Sequence, residues 1–292
     1  MNADLDLRKL RYFVAVADEL NFGRAAETLM IAQPVLSRQI RAFEAELGVR
    51  LFVRDTRGTE LTEQGKLLYQ EAEALLASAA AVRRRVAIAA RGESEFTVGF
   101  MPGLVVADAV RAFQHSHPDV RIQVMRTGWD DQVRVLHDGR ADVSYIRHPF
   151  DRAGLATELL FSEPRVVVLP AEHPLASASS VLMAELATEQ LLQDPAAVPE
   201  WAAVAAEVRR RRGPARTASR TVEEKLELVA VGSGIAILPV STARFYRRDD
   251  VVFVPVADLP PTEVRLAWDA SRRSRLVDAF VSTARAAARP SA

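Results

Sequence analysis

Apolar residues recur at helical spacing along the first 48 residues of the chain. In residues 7–20, "LRKLRYFVAVADEL", they return every three or four positions, which predicts an amphipathic helix. The stretch "NFGRAAETLMI" has a small-residue face and predicts a second helix, with Gly23 as its N-cap. The stretch "IAQPVLSRQIRAFEAELG" predicts a third helix from about Pro34 to Leu47, followed by Gly48 as the C-cap residue.

The pattern changes from helical to alternating after Gly48. Residues 49–62, "VRLFVRDTRGTELT", alternate around a glycine-containing turn, which predicts a small β-hairpin. Three helices followed by such a hairpin form a winged helix-turn-helix arrangement, and we assign residues 1–63 to this domain.

A long helix is predicted from Thr62, and we assign residues 64–91 to it as a linker helix. Its apolar positions are spaced by four and three residues in turn, and they are Leu68, Ala72, Leu75, Ala79, Val82 and Val86. Such a heptad pattern is typical of a coiled coil and predicts a homodimer through this helix. The alternative is a helix that packs on its own domain.

Residues 92–292 alternate between strand-like and helical stretches. Strand-like segments include "FTVGF" (96–100), "VRIQVM" (120–125), "QLLQ" (190–193) and "VRLAW" (264–268). Alternation of this kind predicts an α/β fold with a mostly parallel sheet covered by helices. Ligands bind such sheets at the C-terminal ends of the strands.

Composition excludes several function classes but selects none. Lys and Arg together number 38, as do Asp and Glu, and residues 1–63 contain 9 basic against 10 acidic residues. This balance counts against a DNA-binding domain of the usual basic kind. The chain has no cysteine, which excludes disulfides, thiol catalysis and zinc fingers. With 49% hydrophobic and 26% charged residues, the chain has enough material for ordinary cores.

The sequence shows no pattern typical of secretion, membrane insertion or catalysis. No signal peptide and no run of about 18 apolar residues is present, so we expect a cytoplasmic protein with no membrane contact. The five histidines have no metal-ligand spacing, and no nucleophile triad or informative carboxylate pair occurs. We therefore expect no enzyme activity, no metal and no cofactor.

The two sides of the third helix differ in chemistry. Its core-facing side carries Leu36, Ile40, Phe43 and Leu47. Its other side carries Gln33, Pro34, Ser37, Arg38 and Arg41. The acidic Glu44 and Glu46 are confined to the C-terminal half, and a recognition helix uses its N-terminal half to contact bases. Gln pairs with adenine and Arg with guanine, while Arg54 and Arg57 flank the hairpin turn, where phosphate contacts are expected. An ordinary solvated face is the alternative.

These residues resemble the N-terminal domain of LysR-type transcriptional regulators. The similarity lies in "LRYF", "AAETL", "QPVLSRQIRAFEAELG", "RLFVR" and "LTEQG", and it continues more weakly in "ADVSYIRHPF", "VVVLPAEHPLA" and "LELVAVGSGIAILP". Residues 22–41, from Phe22 to Arg41, correspond to the helix-turn-helix motif of the family, whose DNA-contacting positions match Gln33, Pro34, Ser37 and Arg38.

The resemblance implies an architecture and a set of partners. It implies an N-terminal winged helix-turn-helix, a long linker helix that dimerises, and a two-lobed α/β effector domain like periplasmic binding proteins. Lobe I would comprise about residues 92–162 and 266–292, and lobe II about residues 163–265. The implied partners are a double-stranded DNA operator, a small-molecule effector, further copies of the chain up to a tetramer, and RNA polymerase.

The resemblance also implies where the effector binds. The corresponding residues are Met101, Pro102, Gly103, Gly128, Trp129, Arg147, His148, Ser219 and Thr221. Many family members place Ser or Thr where this chain has "FMPG" and "GWDD", and Trp129 favours a flat or apolar ligand or fills the cleft itself. Arg147 is either a charged ligand contact or part of a structural ion pair. We expect an organic acid or an aromatic compound.

Two functional hypotheses follow. The favoured one is a sequence-specific DNA-binding transcriptional regulator, controlled by a small molecule bound between the two lobes. The alternative is a soluble α/β substrate-binding or enzymatic protein that uses its N-terminal helices only for oligomerisation.

Overall fold

The computed structural model describes residues 5–55, 58–90, 94–204 and 221–288, and the chain divides into two units near Ala87. The N-terminal unit contains the helices α1 (Leu7–Glu19), α2 (Phe22–Thr28) and α3 (Gln33–Leu47). The hairpin strands β1 (Phe52–Asp55) and β2 (Gly58–Leu61) and the long helix α4 (Glu63–Ala90) follow. Three helices and a paired hairpin confirm the winged helix-turn-helix.

Local capping determines where these helices begin. The Asn21 side chain accepts hydrogen bonds from the backbone N–H groups of Gly23 (2.8 Å) and Arg24 (3.1 Å), so the N-cap of α2 is Asn21. The expectation that Gly23 caps this helix was wrong, because an amide oxygen satisfies N–H groups that glycine cannot. Gly48 ends α3 in the left-handed conformation at φ 69°, as expected.

Helix α4 changes its environment along its length. Its first turn is capped by Thr62, whose Oγ1 accepts from the Gly65 N–H at 2.9 Å. Ala72 is fully buried against the core of the winged domain, and Leu68 and Leu76 pack on the same core. Farther along, Leu75, Val82 and Val86 are 45%, 52% and 64% exposed in the single chain. The first part of the heptad pattern thus packs on its own domain, and the later part stays uncovered.

The C-terminal unit begins with a five-stranded sheet, which we call lobe I. It contains β3 (Ser94–Phe100), β4 (Val120–Arg126), β5 (Val143–Arg147), β6 (Leu155–Glu163) and β10 (Thr262–Asp269) in the order β4-β3-β5-β10-β6. The accompanying helices are α5 (Ala107–Ser116), α6 (Arg134–His137) and α10 (Arg275–Ala287). The rings of Phe96, Phe113 and Phe280 meet at centroid distances of 5.1–5.3 Å in its core.

A smaller antiparallel sheet forms lobe II. Its strands are β7 (Arg165–Pro170), β8 (Ala236–Pro239) and β9 (Val251–Pro255) in the order β8-β7-β9. Two short 3-10 helices (Met183–Leu186 and Pro195–Ala197) and the helices α7 (Pro199–Val204), α8 (Val222–Ala230) and α9 (Val240–Phe245) accompany it. Its core contains Trp201, Leu169 and Ile237.

The sheets are less parallel than the sequence pattern suggested. Strand β3 is parallel to β4 and β5, but β10 is antiparallel to β5 and β6, and the described pairings of lobe II strands are antiparallel. The chain crosses to lobe II after Glu163 and returns before Thr262, ahead of the approximate boundary at residue 266. Residues 190–193 form no strand, since Leu191 makes only an isolated bridge to Ile235.

Within the described residues, no helix combines the length and the apolar character that a bilayer crossing requires.

Candidate DNA-binding helix and inter-lobe cleft

Helix α3 presents one packed face and one open face. Leu36, Ile40 and Phe43 are at most 1% exposed and anchor the helix in the domain core. The opposite side of the helix forms one surface, on which Ser37 is half-buried. The exposed residues of this surface are Gln33, Pro34, Arg38 and Arg41. All five side chains predicted on this helix are therefore available from one side of the domain.

The charges around α3 are paired in a way that leaves its N-terminal half basic. The Glu44 carboxylate accepts from the backbone N–H groups of Leu51 (2.8 Å) and Phe52 (3.2 Å), and Glu46 forms an ion pair with Lys9. Among the residues described, Arg38 and Arg41 form no ion pair with an acidic side chain. The negative charges of the helix are thus used within the domain, while its two arginines remain available for an external anion.

The hairpin lies beside the open face. Strands β1 and β2 pair in antiparallel register with Val53 opposite Glu60. A surface hollow of about 310 Å³ is lined by residues of α2, α3 and β2, among them Gln33, Ser37 and Thr59. Arg54 belongs to β1, but its side chain lies outside the described part of the chain, as does the whole of Arg57.

A cleft of about 730 Å³ opens between lobe I and lobe II. We call it the inter-lobe cleft. The three mutually parallel strands β3, β4 and β5 all end at it, so the loops that follow them line its lobe I side. The structure brings together here seven of the residues expected to bind the effector, namely Met101, Pro102, Gly128, Trp129, Arg147, His148 and Thr221.

Two further residues expected at this site are placed differently. Gly103 does not line the cleft, and it has a φ of 82°. A Cβ atom there would lie 2.5 Å from the Thr242 Cα, so Gly103 permits a close approach of the two lobes. Ser219 lies outside the described residues.

Arg147 forms a buried structural ion pair. The side chains of Arg147 and Glu163 are 4% and 2% exposed, and Arg147 Nε donates to Glu163 Oε1 at 3.1 Å. The same guanidinium donates to the Pro102 carbonyl oxygen (2.9 Å) and the Ser241 Oγ (2.8 Å). Burial lowers the pKa of Arg147, and the Glu163 carboxylate opposes that shift. Of the two roles left open for Arg147, the contacts favour the structural one.

Arg147 and Glu163 both belong to lobe I, whereas another ion pair beside the cleft joins lobe I to lobe II. Arg126, at the end of β4, lies 3.2 Å from a Glu223 carboxylate oxygen on α8. The Tyr246 hydroxyl also donates to Glu223, at 2.9 Å. Both partners of the ion pair are about half exposed, so its energetic contribution is small.

Comparison with known proteins assigns the chain to a family. Residues 7–66 match the model described as "Bacterial regulatory helix-turn-helix protein, lysR family". Residues 89–289 match the "LysR substrate binding domain", which alone covers more than half of the chain. The chain belongs to the LysR family of transcriptional regulators.

Relatives of this LysR-family chain match along nearly its whole length. It is 34% identical to the Hca operon transcriptional activator HcaR of Escherichia coli over 273 residues, which are 90% of this chain and 92% of HcaR. It is 32% identical to the transcriptional regulator BenM of Acinetobacter baylyi over 263 residues, 87% of this chain and 86% of BenM. Both are transcriptional regulators, so this LysR-family member is a regulator and not an enzyme.

The fold of this regulator is also that of solved family members. It is similar to full-length CbnR in complex with its target DNA, with a TM-score of 0.59, 25% identity and coverage of 97% of this chain and 100% of CbnR. These matches confirm a LysR-family regulator with an N-terminal helix-turn-helix domain and a C-terminal substrate-binding domain. The alternative of an α/β substrate-binding or enzymatic protein that uses its N-terminal helices only for oligomerisation has no support among them.

Several cleft residues of this LysR regulator escaped sequence reasoning. The cleft is also lined by Arg126, Thr127, Arg165, Gln193 and Lys225. Lys225 lies four residues after Thr221 and therefore about one helical turn away on the same side, a spacing that could have indicated it. Arg165 and Gln193 carry no such local signal, because their positions depend on lobe II contacts distant in sequence: the pairing of β7 with β8, and hydrogen bonds of the Gln193 amide to the Ile237 backbone. In the described residues, no cluster of His, Asp and Glu has the arrangement of a metal site.

Proposed function

We propose that α3 is the recognition helix of this LysR regulator and that its open face contacts base edges and phosphates of the operator. The contacting residues would be Gln33, Pro34, Ser37, Arg38 and Arg41. The observation that carries the proposal is the exposure of Arg38 and Arg41 without an ion-pair partner, on a helix whose acidic residues are used elsewhere. Such guanidinium groups form two-bond contacts with guanine or phosphate. Phosphate contacts from Arg54 and Arg57 remain a prediction.

A mobility-shift experiment tests this assignment. The full-length protein is titrated against the intergenic DNA beside its own gene and against unrelated DNA of equal length. We expect preferential binding to the intergenic DNA, with an affinity that falls as salt is raised, because phosphate contacts release counterions. Equal binding to both fragments at every salt concentration would contradict sequence-specific recognition by α3.

We further propose that the inter-lobe cleft is the effector site. Its volume of about 730 Å³ lies in the range of small-molecule sites, and it lies at the C-terminal ends of parallel strands, where such folds bind ligands. Met101, Pro102, Gly128, Trp129, His148 and Thr221 would contact the effector, with Arg147 as their support. The half-buried Trp129 favours an aromatic or otherwise apolar body, and the four Lys and Arg side chains of the lining, against three aspartates, favour an organic acid. A direct role for Gly103 or Ser219 remains a prediction.

We also propose that α4 is the dimerisation helix. Leu75, Val82 and Val86 are exposed on the single chain, and a second copy would cover them. Effector binding would change the relation of the lobes, and the paired α4 helices would pass that change to the spacing of the two recognition helices. A tetramer and a contact with RNA polymerase remain predictions that rest on the family resemblance.

A further inference from the structure

Lys225 differs from the other lysines of the chain. The sequence has three lysines, and Lys9 and Lys66 form ion pairs with Glu46 and Glu63. Lys225 lies half-buried on α8 and lines the inter-lobe cleft, and no ion pair or hydrogen bond joins it to another side chain in the described ranges. A cation withdrawn from water without a partner is unfavourable, and burial accordingly lowers the pKa of Lys225.

Each of the other permanent cations of the cleft has a carboxylate partner. Arg126 is paired with Glu223, Arg147 with Glu163, and Arg165 with Glu200 in a two-bond arrangement of 3.2 and 2.5 Å. Lys225 is therefore, within the described chain, the lining Lys or Arg that has no carboxylate partner. One available cation suits one anionic group, and a second anionic group would be desolvated without a partner.

The acidic groups near Lys225 leave room for that anion. Asp130, which lies across the cleft on lobe I, and Glu224 both act to raise the pKa of Lys225, but neither forms a direct ion pair with it. Asp130 is exposed at the rim, and a Glu224 carboxylate oxygen accepts from the Thr221 N–H at 3.2 Å. These groups attract the ammonium weakly and do not occupy its hydrogen-bonding positions.

A second polar group in the cleft also lacks a partner. Thr127 lines the cleft and is 2% exposed, and its Oγ1 has no hydrogen-bond partner among the described residues. Because that oxygen has almost no exposed surface, Lys225 and not this hydroxyl is the group open to a ligand. The apolar part of the lining includes Trp129, Val198 and Leu238, and its acidic side chains are Asp130, Asp131 and Asp194.

We propose that Lys225 determines the charge specificity of the effector site by binding the single carboxylate of an organic monoanion whose body is apolar. This inference rests on the proposed effector function of the cleft. Lysine presents a compact point charge without the two-bond fork of arginine, and it accepts a carboxylate in several orientations. The body of the ligand packs on Trp129, Val198 and Leu238.

The experiment uses the full-length protein and sets of three matched probes. Each set contains a monocarboxylate, its primary amide and the corresponding dicarboxylate, on naphthalene and on straight alkyl chains of increasing length. Thermal shifts identify the best monocarboxylate, and calorimetry gives its Kd. We expect the amide and the dicarboxylate to bind about 10- to 100-fold more weakly than the monocarboxylate.

Variants locate the charge effect. Lys225→Met should weaken the monocarboxylate about 10- to 100-fold and leave the amide unchanged, and Lys225→Arg should retain part of the binding. Lys66→Met removes an equal charge from an exposed ion pair and should change neither ligand. If Lys225→Met binds the monocarboxylate as tightly as the parent, or if no monocarboxylate in the panel binds, the proposal is wrong.

A second measurement follows the parent protein and uses a variant only to assign one signal. Protein labelled with ¹³C-lysine has three lysine side-chain signals, and the Lys225 signal is the one missing from Lys225→Arg. The best monocarboxylate should shift that signal and raise the pKa of Lys225, because an anion stabilises the charged form. An unchanged Lys225 signal in the presence of saturating ligand contradicts the proposal.

The same samples separate this inference from the proposed function. A monocarboxylate that binds through Lys225 but leaves operator affinity unchanged would contradict effector control and support the Lys225 assignment. A neutral or doubly charged ligand that controls DNA binding equally in the parent and Lys225→Met would support effector control and contradict the Lys225 assignment.

Discussion

The Arg147 guanidinium donates a 2.8 Å hydrogen bond to the Ser241 Oγ, and this bond joins lobe I to lobe II. Glu163 contacts both of these residues: its carboxylate accepts from Arg147 Nε at 3.1 Å and from the Ser241 N–H at 2.9 Å. The inter-lobe cleft thus has a buried charged junction beside its lining. Three partners satisfy each other there, so no member can be removed without leaving a buried polar group unpaired.

Replacement of Arg147 should therefore destabilise the C-terminal unit. Arg147→Ala leaves the Glu163 carboxylate buried without its counter-charge, and we expect a loss of about 3–5 kcal/mol in the free energy of unfolding. All three tryptophans lie in this unit, so urea unfolding followed by tryptophan fluorescence reports on it.

The double variant Arg147→Met with Glu163→Gln should recover part of the loss. Arg265→Ala, which removes a less buried arginine, serves as the control and should cost far less. Equal costs for Arg147→Ala and Arg265→Ala would contradict the role of the junction.

Gly103 should be intolerant of a side chain for a reason that is specific to its position. An alanine there would have φ 82° and a Cβ at 2.5 Å from the Thr242 Cα. Gly232 has a similar φ of 72°, but no atom lies within 4 Å of its Cβ position. Gly232→Ala should cost about 1 kcal/mol for the left-handed conformation alone, and Gly103→Ala clearly more, about 2–4 kcal/mol. Fluorescence-detected unfolding measures both, and equal losses would show that the lobes do not constrain Gly103.

Loss of Arg38 should weaken DNA binding without affecting the fold. Arg38→Ala removes an exposed guanidinium that forms no described ion pair, so stability should stay within about 0.5 kcal/mol while operator affinity falls by about 1–3 kcal/mol. As a control, Arg111→Ala removes an exposed arginine from helix α5 of the C-terminal unit and should leave the operator affinity unchanged. Mobility shifts at two salt concentrations distinguish a base contact from a phosphate contact. Parent-like operator binding by Arg38→Ala would show that α3 does not use this residue.

A charge introduced in the exposed part of α4 should prevent dimerisation. Val82 is 52% exposed in the single chain, and Val82→Asp would place a carboxylate in the proposed helix pair. We expect a shift from dimer to monomer in sedimentation measurements, with operator affinity reduced as well, because paired half-sites lose one of their two contacts. Gln70→Asp introduces the same residue at another exposed position of α4, about opposite the heptad pattern. If Val82→Asp sediments like the parent, the dimer forms elsewhere.

Much of the N-terminal unit could be predicted from the sequence. Helical periodicity, the proline in the first turn of α3 and Gly48 after its end are local signals, and the helix spans Gln33–Leu47 against an expected start near Pro34. The assignment of Gly23 as a cap failed because its neighbour Asn21 competes for the same N–H groups.

The inter-lobe cleft was less predictable. The loops after β3, β4 and β5 were correctly brought to one place, since parallel strands end at one edge of a sheet. The roles within the cleft depended on partners distant in sequence. The structural role of Arg147 could be distinguished from a ligand-binding role only in the folded chain, where its side chain contacts Glu163 and Ser241.

The amino-acid order alone determined the helices and the hairpin of the winged domain, the long helix and the family of the chain, because these depend on periodicity, caps and motifs within a few turns. The tertiary structure alone decided that β10 runs antiparallel in lobe I, that Glu163 neutralises Arg147, and that Lys225 faces the cleft without a partner. The physical reason is that the energy of a buried charge depends on which groups surround it in space, and those groups come from segments that only the folded chain brings together.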